Sequence, residues 1–351
     1  MTANFLIYGA NGYTGELIAR FAVQQGLRPI LAARNSQKVA PLAAELGLDC
    51  RAFALDNKQA IDSALADISV VLHCAGPFSQ TSSPMVAGCL RSQVHYLDIT
   101  GEISVFEEDA SQDELAKTAG VMLLPGVGFD VVPSDCLAAH LKGRLPSATR
   151  LTLGFQALGR ISRGTATTMV EAQHQGGLVR RDGVLTTVPA AFKTRSIDFG
   201  QGKVESVTIP WGDVSTAFYS TGILNIEVYA AFPASTRMLE FASRYFSWLL
   251  KLSAVQNFQK QLIQNQPPGP SKTERAEGKS YLWGEVEDSS GKRLSSLLQC
   301  PEGYTLTALT AVKIVQKVLA GEYTCGFQTP SKVYGADFIL EFPGVVRENR
   351  D

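Results

Sequence analysis

Apolar runs of four or five residues recur through the first 125 positions, each followed by small or polar residues and then by a stretch with apolar positions every three or four residues. Asn4-Phe5-Leu6-Ile7-Tyr8, Pro29-Ile30-Leu31-Ala32-Ala33, Cys50-Arg51-Ala52-Phe53, Val70 to Ala75, His95 to Ile99 and Val121 to Pro125 read as strands. Between them, Leu17, Ile18, Phe21 and Ala22 mark one face of a helix that ends at Gly26, where a left-handed cap belongs. Lys58 to Ala66, Pro84 to Ser92, with proline in its first turn, and Val105 to Thr118 supply further helices. Strands that are apolar throughout and alternate with helices predict a doubly wound parallel α/β sheet.

Beyond about residue 145 the period changes. Arg150 to Ala157, Val204 to Ile209 and Ile223 to Phe232 read as long strands, and Ser280 to Leu298 as a hairpin around Ser289-Ser290-Gly291. One helix starts near Gly164, and another, Thr305 to Ala320, stops at Gly321. A second, α+β domain is expected here. Residues 238–263 are dense in apolar and aromatic side chains around Phe246 and Trp248 but are interrupted by Arg244 and Lys251. The stretch is too charged to span a bilayer; it fits a peripheral membrane contact, the wall of a pocket for a greasy substrate, or a core or homodimer-interface helix.

The first strand opens into Gly9-Ala10-Asn11-Gly12-Tyr13-Thr14-Gly15, a G-x-x-G-x-x-G turn directly before a helix. This is the order a Rossmann dinucleotide site requires. Glycine at 9 permits the tight turn, glycine at 12 lets backbone approach the pyrophosphate, and glycine at 15 lets helix and strand pack closely. Asn11, Tyr13 and Thr14 lie within the same turn. At the end of the second strand, where an NAD enzyme usually places a carboxylate for the ribose, stand Arg34 and Asn35, with Lys38 one helical turn on. A guanidinium there forks onto a 2′-phosphate, so NADP is expected in preference to NAD. The fourth strand ends in Ala75, Gly76, Pro77 and Phe78, a small-residue loop at the edge where such sheets bind their ligand. Hydride transfer then asks for one proton donor. Tyr219, in a Ser/Thr/Gly-rich stretch, and Asp130 and Glu102, at strand exits, are the candidate catalytic residues. Each also has a plain structural reading, as a packing ring, a cap and a solvated loop acid.

Composition narrows the class. A net charge of −1 without a basic face argues against nucleic acid as a partner, and the N-terminus runs straight into a strand without a signal-like segment, so a cytoplasmic protein is expected. Six cysteines form no C-x-x-C, and four histidines show no metal-ligand spacing, so no metal site is expected. G-x-S-x-G is missing from the sequence, and so is the full phosphate-binding loop G-x-x-x-x-G-K-[ST], since Gly278-Lys279-Ser280 has Thr273 where that loop needs its first glycine. Cofactor chemistry on a small-molecule or acyl substrate remains.

Taken together, these segments resemble the saccharopine dehydrogenase-like oxidoreductases, and among them the trans-acting enoyl reductase branch. The motifs carrying the likeness are Gly9 to Gly15, Ala33-Arg34-Asn35, Gly76-Pro77-Phe78, Tyr96 to Glu102, Gly126 to Asp130 with Pro133-Ser134-Asp135, Gly164-Thr165, Trp211-Gly212-Asp213 with Ser220-Thr221-Gly222, Gly269-Pro270-Ser271 and Gly326 to Pro330. The resemblance implies an NAD(P)-binding Rossmann domain at 1–135, an inserted α+β substrate or dimerisation domain at 136–302, and a C-terminal segment, 303–351, returning to the first. It also implies cofactor contacts at Gly9, Gly12, Tyr13, Thr14, Gly15, Arg34 and Gly76. Two substrate classes follow from the family, an enoyl lipid and a saccharopine-type amino acid adduct. The aromatic 238–263 stretch favours the first, and Arg160, Arg163, Arg180, Arg181 and Arg195 are the carboxylate anchors the second would need. A rival from another class is a nucleotide-binding, membrane-associated scaffold without turnover.

Overall fold

A computed structural model of the protein describes residues 4–157, 159–172, 176–231 and 253–350. The chain divides into two compact units, one of Met1–Val132 with Tyr304–Tyr334 and the other of Pro133–Gly303 with Gly335–Asp351. The first unit holds β1 (Phe5–Tyr8), β2 (Ile30–Ala33), β3 (Cys50–Ala52), β4 (Val70–His73), β5 (His95–Asp98) and β6 (Met122–Leu124), joined through α1 (Tyr13–Gln24), α2 (Ser36–Leu46), α3 (Lys58–Leu65), α4 (Phe78–Ser92), α5 (Ile103–Ser111) and α6 (Asp113–Ala119). A short strand from far along the chain, Gly326–Phe327, adds to β6, and the sheet runs in the order Gly326–Phe327, β6, β5, β4, β1, β2, β3 with every pairing parallel. Strand order reverses between β1 and β4, which is where a doubly wound sheet opens its ligand crevice. Strands β1, β2, β4 and β6 are buried along their whole length, as their unbroken apolar sequences require.

Helix boundaries show where tertiary contacts override local sequence. Helix α1 buries Ile18, Ala19 and Ala22, and Gly26 takes its left-handed conformation at φ +78°. Helix α4 starts at Phe78, six residues before the expected Pro84, which lies inside the helix. The helix expected over 105–118 is two, α5 and α6, broken at Gln112.

The second unit contains α7 (Val132–Arg144), β7 (Ala148–Ala157), α8 (Arg163–Ala172), β8 (Gly177–Arg181), β9 (Val184–Val188), β10 (Thr194–Asp198), β11 (Lys203–Thr208), α9 (Asp213–Thr221) and β12 (Asn225–Ala231). After the undescribed 232–252 follow α10 (Ser253–Gln264), α11 (Lys272–Glu277), β13 (Lys279–Asp288) and β14 (Arg293–Pro301). Helix α12 (Gly303–Leu319) then leads into the first unit, and β16 (Val346–Arg350) closes the second; the strand at Gly326–Phe327 counts as β15. The order β10-β11-β12-β7-β13-β14-β16, with β8 and β9 beside it, makes a mixed sheet in which only β12 and β7 among the ladder neighbours run parallel. The C-terminal stretch therefore splits. Residues 304–334 lie in the dinucleotide unit, whereas 335–351 lie in the second, where β16 pairs antiparallel with β14 and Arg347 bridges Asp337 at 2.6 Å.

Candidate functional site

Parallel strands deliver their carboxyl ends to one edge of the sheet, so the loops after β1, β4, β5 and β6 gather there. Tyr8 stands level with Ala32 and His73, and Gly9 N donates to Ala32 O at 2.8 Å. Gly9 adopts φ +84°, and a Cβ on it would come within 2.8 Å of Ala75 Cβ and of Cys74 carbonyl carbon. A Cβ on Gly15 would lie 2.4 Å from Gly9 O. Neither position admits a side chain, and the turn is pressed between β4 and α1 as the spacing predicts. Gly12 precedes α1 in an extended conformation, and no side chain caps that helix start. An uncapped N-terminus at a β1 turn offers backbone donors and the positive helix end to an anion. Asn11 is exposed, Thr14 is half-buried, and the Tyr13 ring packs edge-on against Tyr304 at 5.2 Å.

At the end of β2, Arg34 and Lys38 are exposed and enter no ion pair among the described residues. The Arg34 guanidinium acts on Tyr8, whose phenol burial pushes up to about 12, and offsets part of that rise. Asn35 caps α2 by accepting from Gln37 N at 2.8 Å. That bond fixes the direction in which the chain leaves β2, with Arg34 just before the cap.

The β4 loop is held from beneath. Thr81 Oγ1 donates to Ala75 O at 2.7 Å and lies 3.1 Å from Pro77 O, and His73 Nε2 is 3.0 Å from the same hydroxyl. With its proton committed to the carbonyls, the Thr81 hydroxyl accepts from His73, which fixes the Nε2–H tautomer. Burial pushes the His73 imidazole down to about 3, so it stays neutral. Gly76 is exposed and joined to Pro77 by a cis peptide bond, while Phe78 is buried with its ring edge-on to His73.

Glu102 turns away from the role of a free acid. Its Oε1 accepts from Phe78 N at 2.7 Å and its Oε2 from Ser79 N at 3.0 Å, so the carboxylate caps α4 and sets the helix start. Asp130, on the loop after β6, is half-buried and lies against Gly101, where a Cβ would sit 3.0 Å from its Oδ2. Burial pushes the Asp130 carboxyl up to about 6. Its loop is anchored by α12: Thr307 Oγ1 accepts from Phe129 N at 3.0 Å, and Thr310 Oγ1 donates to Val127 O at 2.7 Å. Asp98, inside the apolar run of β5, accepts from Tyr96 Oη, Thr100 N and Gly126 N. Sequence reasoning passed over Asp98, although an acid within a buried strand is a visible signal. Thr307 and Thr310 gave none, since nothing in an amphipathic helix nearly 180 residues away announces contact with the β6 loop.

Tyr219 belongs to the second unit, half-buried on α9 with its ring edge-on to Phe218 at 5.4 Å. The expected arginine anchors of that unit are engaged. Arg195 bridges Glu285 at 2.8 Å and stacks on Trp283; Arg160 lies 3.8 Å from Glu274; Arg163 donates to Gln266 O; buried Arg180 donates to Val214 O and Gly183 O. Arg181 is exposed over Phe192. Of the 238–263 stretch, 238–252 lies outside the described residues, and the remainder forms most of α10, with Phe258 and Leu262 exposed. Among the described residues no helix is long and apolar enough to cross a membrane.

Comparison with known proteins agrees with this geometry. Residues 5–124 match the model of the saccharopine dehydrogenase NADP binding domain. A trans-acting enoyl reductase of Mycobacterium leprae is 29% identical over 150 residues, covering 40% of this chain and 36% of that protein. A putative trans-acting enoyl reductase of Mycobacterium tuberculosis is 28% identical over 185 residues, 48% of this chain and 43% of that one. Each match thus spans less than half of the relative's length. Among solved structures, apo saccharopine dehydrogenase (L-Glu forming) from Saccharomyces cerevisiae superposes over 99% of this chain and 100% of its own, with a TM-score of 0.70 at 12% identity, a likeness of fold. Residues 5–124 thus match the saccharopine dehydrogenase NADP binding domain, in a chain with the saccharopine dehydrogenase fold, and NADP is the dinucleotide that this match supports.

Proposed function

We propose that the protein is an NADP-dependent oxidoreductase that reduces an enoyl or related double bond in an apolar, lipid-type substrate. What supports the reading is Asp130, a half-buried acid with a pKa raised to about 6, on the loop after β6 at the same carboxyl edge of the sheet as the glycine turn. Gly9, Gly12 and Gly15 let the backbone take the pyrophosphate on α1, and Arg34 with Lys38 takes the 2′-phosphate. When bound, NADPH supplies the hydride. Asp130 holds the proton that the substrate's α-carbon takes up and donates it from its carboxyl oxygen. Tyr219 is the second proton donor in this proposal, to be ranked against Asp130 by substitution.

The enoyl assignment draws on the names of the mycobacterial relatives. It draws equally on the engaged arginines, since a saccharopine-type adduct brings three carboxylates that need free cations, and four of the five candidates are committed to other partners.

Titration with NADPH and NADH, followed by nicotinamide fluorescence, tests the cofactor half in wild type and Arg34→Ala. Wild type should prefer NADPH, and the variant should lose roughly ten- to a hundredfold of that preference, as expected for a charge-assisted phosphate contact. NADPH consumption with 2-enoyl thioesters of increasing chain length tests the substrate half. Turnover confined to saccharopine-type adducts would replace the enoyl assignment.

A further inference from the structure

Three loops at the carboxyl edge of the first unit's sheet are tied together by one chain of hydrogen bonds. Asp98 Oδ1 accepts from Gly126 N at 2.8 Å and from Thr100 N at 3.0 Å, while Oδ2 accepts from Tyr96 Oη at 2.8 Å. The Asp98 carbonyl also takes Val127 N at 2.7 Å, so side chain and backbone of one residue both grip the β6 loop. Thr100 Oγ1 in turn accepts from Glu102 N at 3.0 Å, and the Glu102 carboxylate accepts from Phe78 N and Ser79 N. The chain runs from the β6 loop through the β5 loop to the β4 loop without a gap. Gly101 lies inside it, packed against Asp130.

Asp98 is fully buried, and a carboxylate in that position is retained only when its acceptors are filled. Burial still pushes it up to about 6 despite three donors, with Glu102 adding repulsion, so the position is costly and its bonds hold it in place. Asp98 receives backbone N–H groups from the β5 and β6 loops, and Glu102 receives those of the first two residues of α4, where the chain leaves the β4 loop. Their bonds therefore fix loop positions that the sheet itself leaves undetermined.

We infer that Asp98 and Glu102, linked through Thr100, are positioning residues that lock the β4, β5 and β6 loops into the floor on which the nicotinamide half of the dinucleotide rests. This rests on the cofactor reading above. In a sheet ordered 3-2-1-4-5-6 the adenosine half lies over β1 and β2, where Arg34 stands, and the nicotinamide half over β4 to β6. The bracing chain links the loops after β4, β5 and β6 and includes no residue of β1 or β2. Loosening it should cost affinity for the whole dinucleotide and leave the adenosine half untouched.

The test uses the full chain and two probes, NADPH and adenosine 2′,5′-bisphosphate, which carries the adenosine and 2′-phosphate without nicotinamide. Asp98→Asn removes the charge while keeping one acceptor, and Glu102→Gln does the same at a half-buried position that the fold tolerates more readily. In both variants NADPH binding should weaken about tenfold, as expected when charge-assisted bonds become neutral ones, with bisphosphate binding within about twofold of wild type. Glu102→Asp, which restores the charge on a shorter arm, should recover part of the loss. Equal weakening for both probes, or none for either, overturns the inference, because a general loss of structure or an idle network moves the two together. Wild type that binds neither probe overturns the cofactor reading itself, a result distinct from failure of the split.

Discussion

Three carboxyl groups in the first unit are pushed above their ordinary range by burial, and their surroundings separate one from the others. Asp98 is fully buried and saturated with donors. Asp109, on the inner face of α5, is 1% exposed, and neither carboxylate oxygen has a hydrogen-bond partner among the described residues. Burial, with Asp98 and Glu108 adding repulsion, holds its carboxyl well above the ordinary value, and the side chain is sealed from solvent. Asp130 alone joins a raised pKa to partial exposure on a loop at the ligand edge. Its carboxyl is protonated below about pH 6 and ionised above it, so as a proton donor it is active on the acid side. In the reductive direction kcat/KM should be level below pH 6 and fall about tenfold per pH unit above it. Asp130→Asn should lower the rate and abolish that limb, as pH-rate profiles of both proteins would show. An unchanged limb in the variant would transfer the donor role elsewhere, with Tyr219→Phe the next to measure.

At the scale of elements, the β1 turn and α1 form one rigid piece because Gly15 has no side chain. A Cβ there would stand 2.4 Å from Gly9 O and 2.9 Å from Ala10 Cα, both backbone atoms of a turn that is itself hydrogen-bonded to β2. Gly15→Ala should displace the helix start, destabilise the protein by about 1–3 kcal/mol and weaken NADPH binding. Urea denaturation and nicotinamide fluorescence check it; wild-type values in both would show that α1 tolerates a shift. This piece was legible in the sequence because all of its determinants are local: the glycine spacing, the buried Ile18 and Ala22, and the left-handed Gly26. The start of α4 was not, because the residue that caps Phe78 and Ser79 lies 24 positions away on another loop, while Pro84 offers a competing local signal. Glu102 could be read from the sequence as an acid at a strand exit but not as the cap of α4, since sequence shows a carboxylate's position and not what it accepts. Asn35 likewise caps α2, next to Arg34.

At the scale of the molecule, the first unit is discontinuous in sequence, and its second piece holds the β6 loop. Helix α12 buries Leu306, Ala311, Val312, Ile314 and Val315, and its Thr307 and Thr310 hold the loop that carries Asp130. The strand at Gly326–Phe327 covers the outer edge of β6, and Asp113 takes Phe327 N at 2.7 Å. A fragment of residues 1–135 would expose β6 as an edge and release both threonine anchors. It should therefore fail to unfold cooperatively and fail to bind NADPH. The same fragment ended at 132 and joined through a flexible Gly/Ser linker to 304–334 should regain a cooperative transition and NADPH binding. Thermal unfolding by circular dichroism with and without NADPH distinguishes the two, because a ligand that binds the folded form alone raises its midpoint. A 1–135 fragment that melts cooperatively and is stabilised by NADPH would show that the first 135 residues build the site unaided. In that event α12 would serve the unit's packing without being needed to place Asp130.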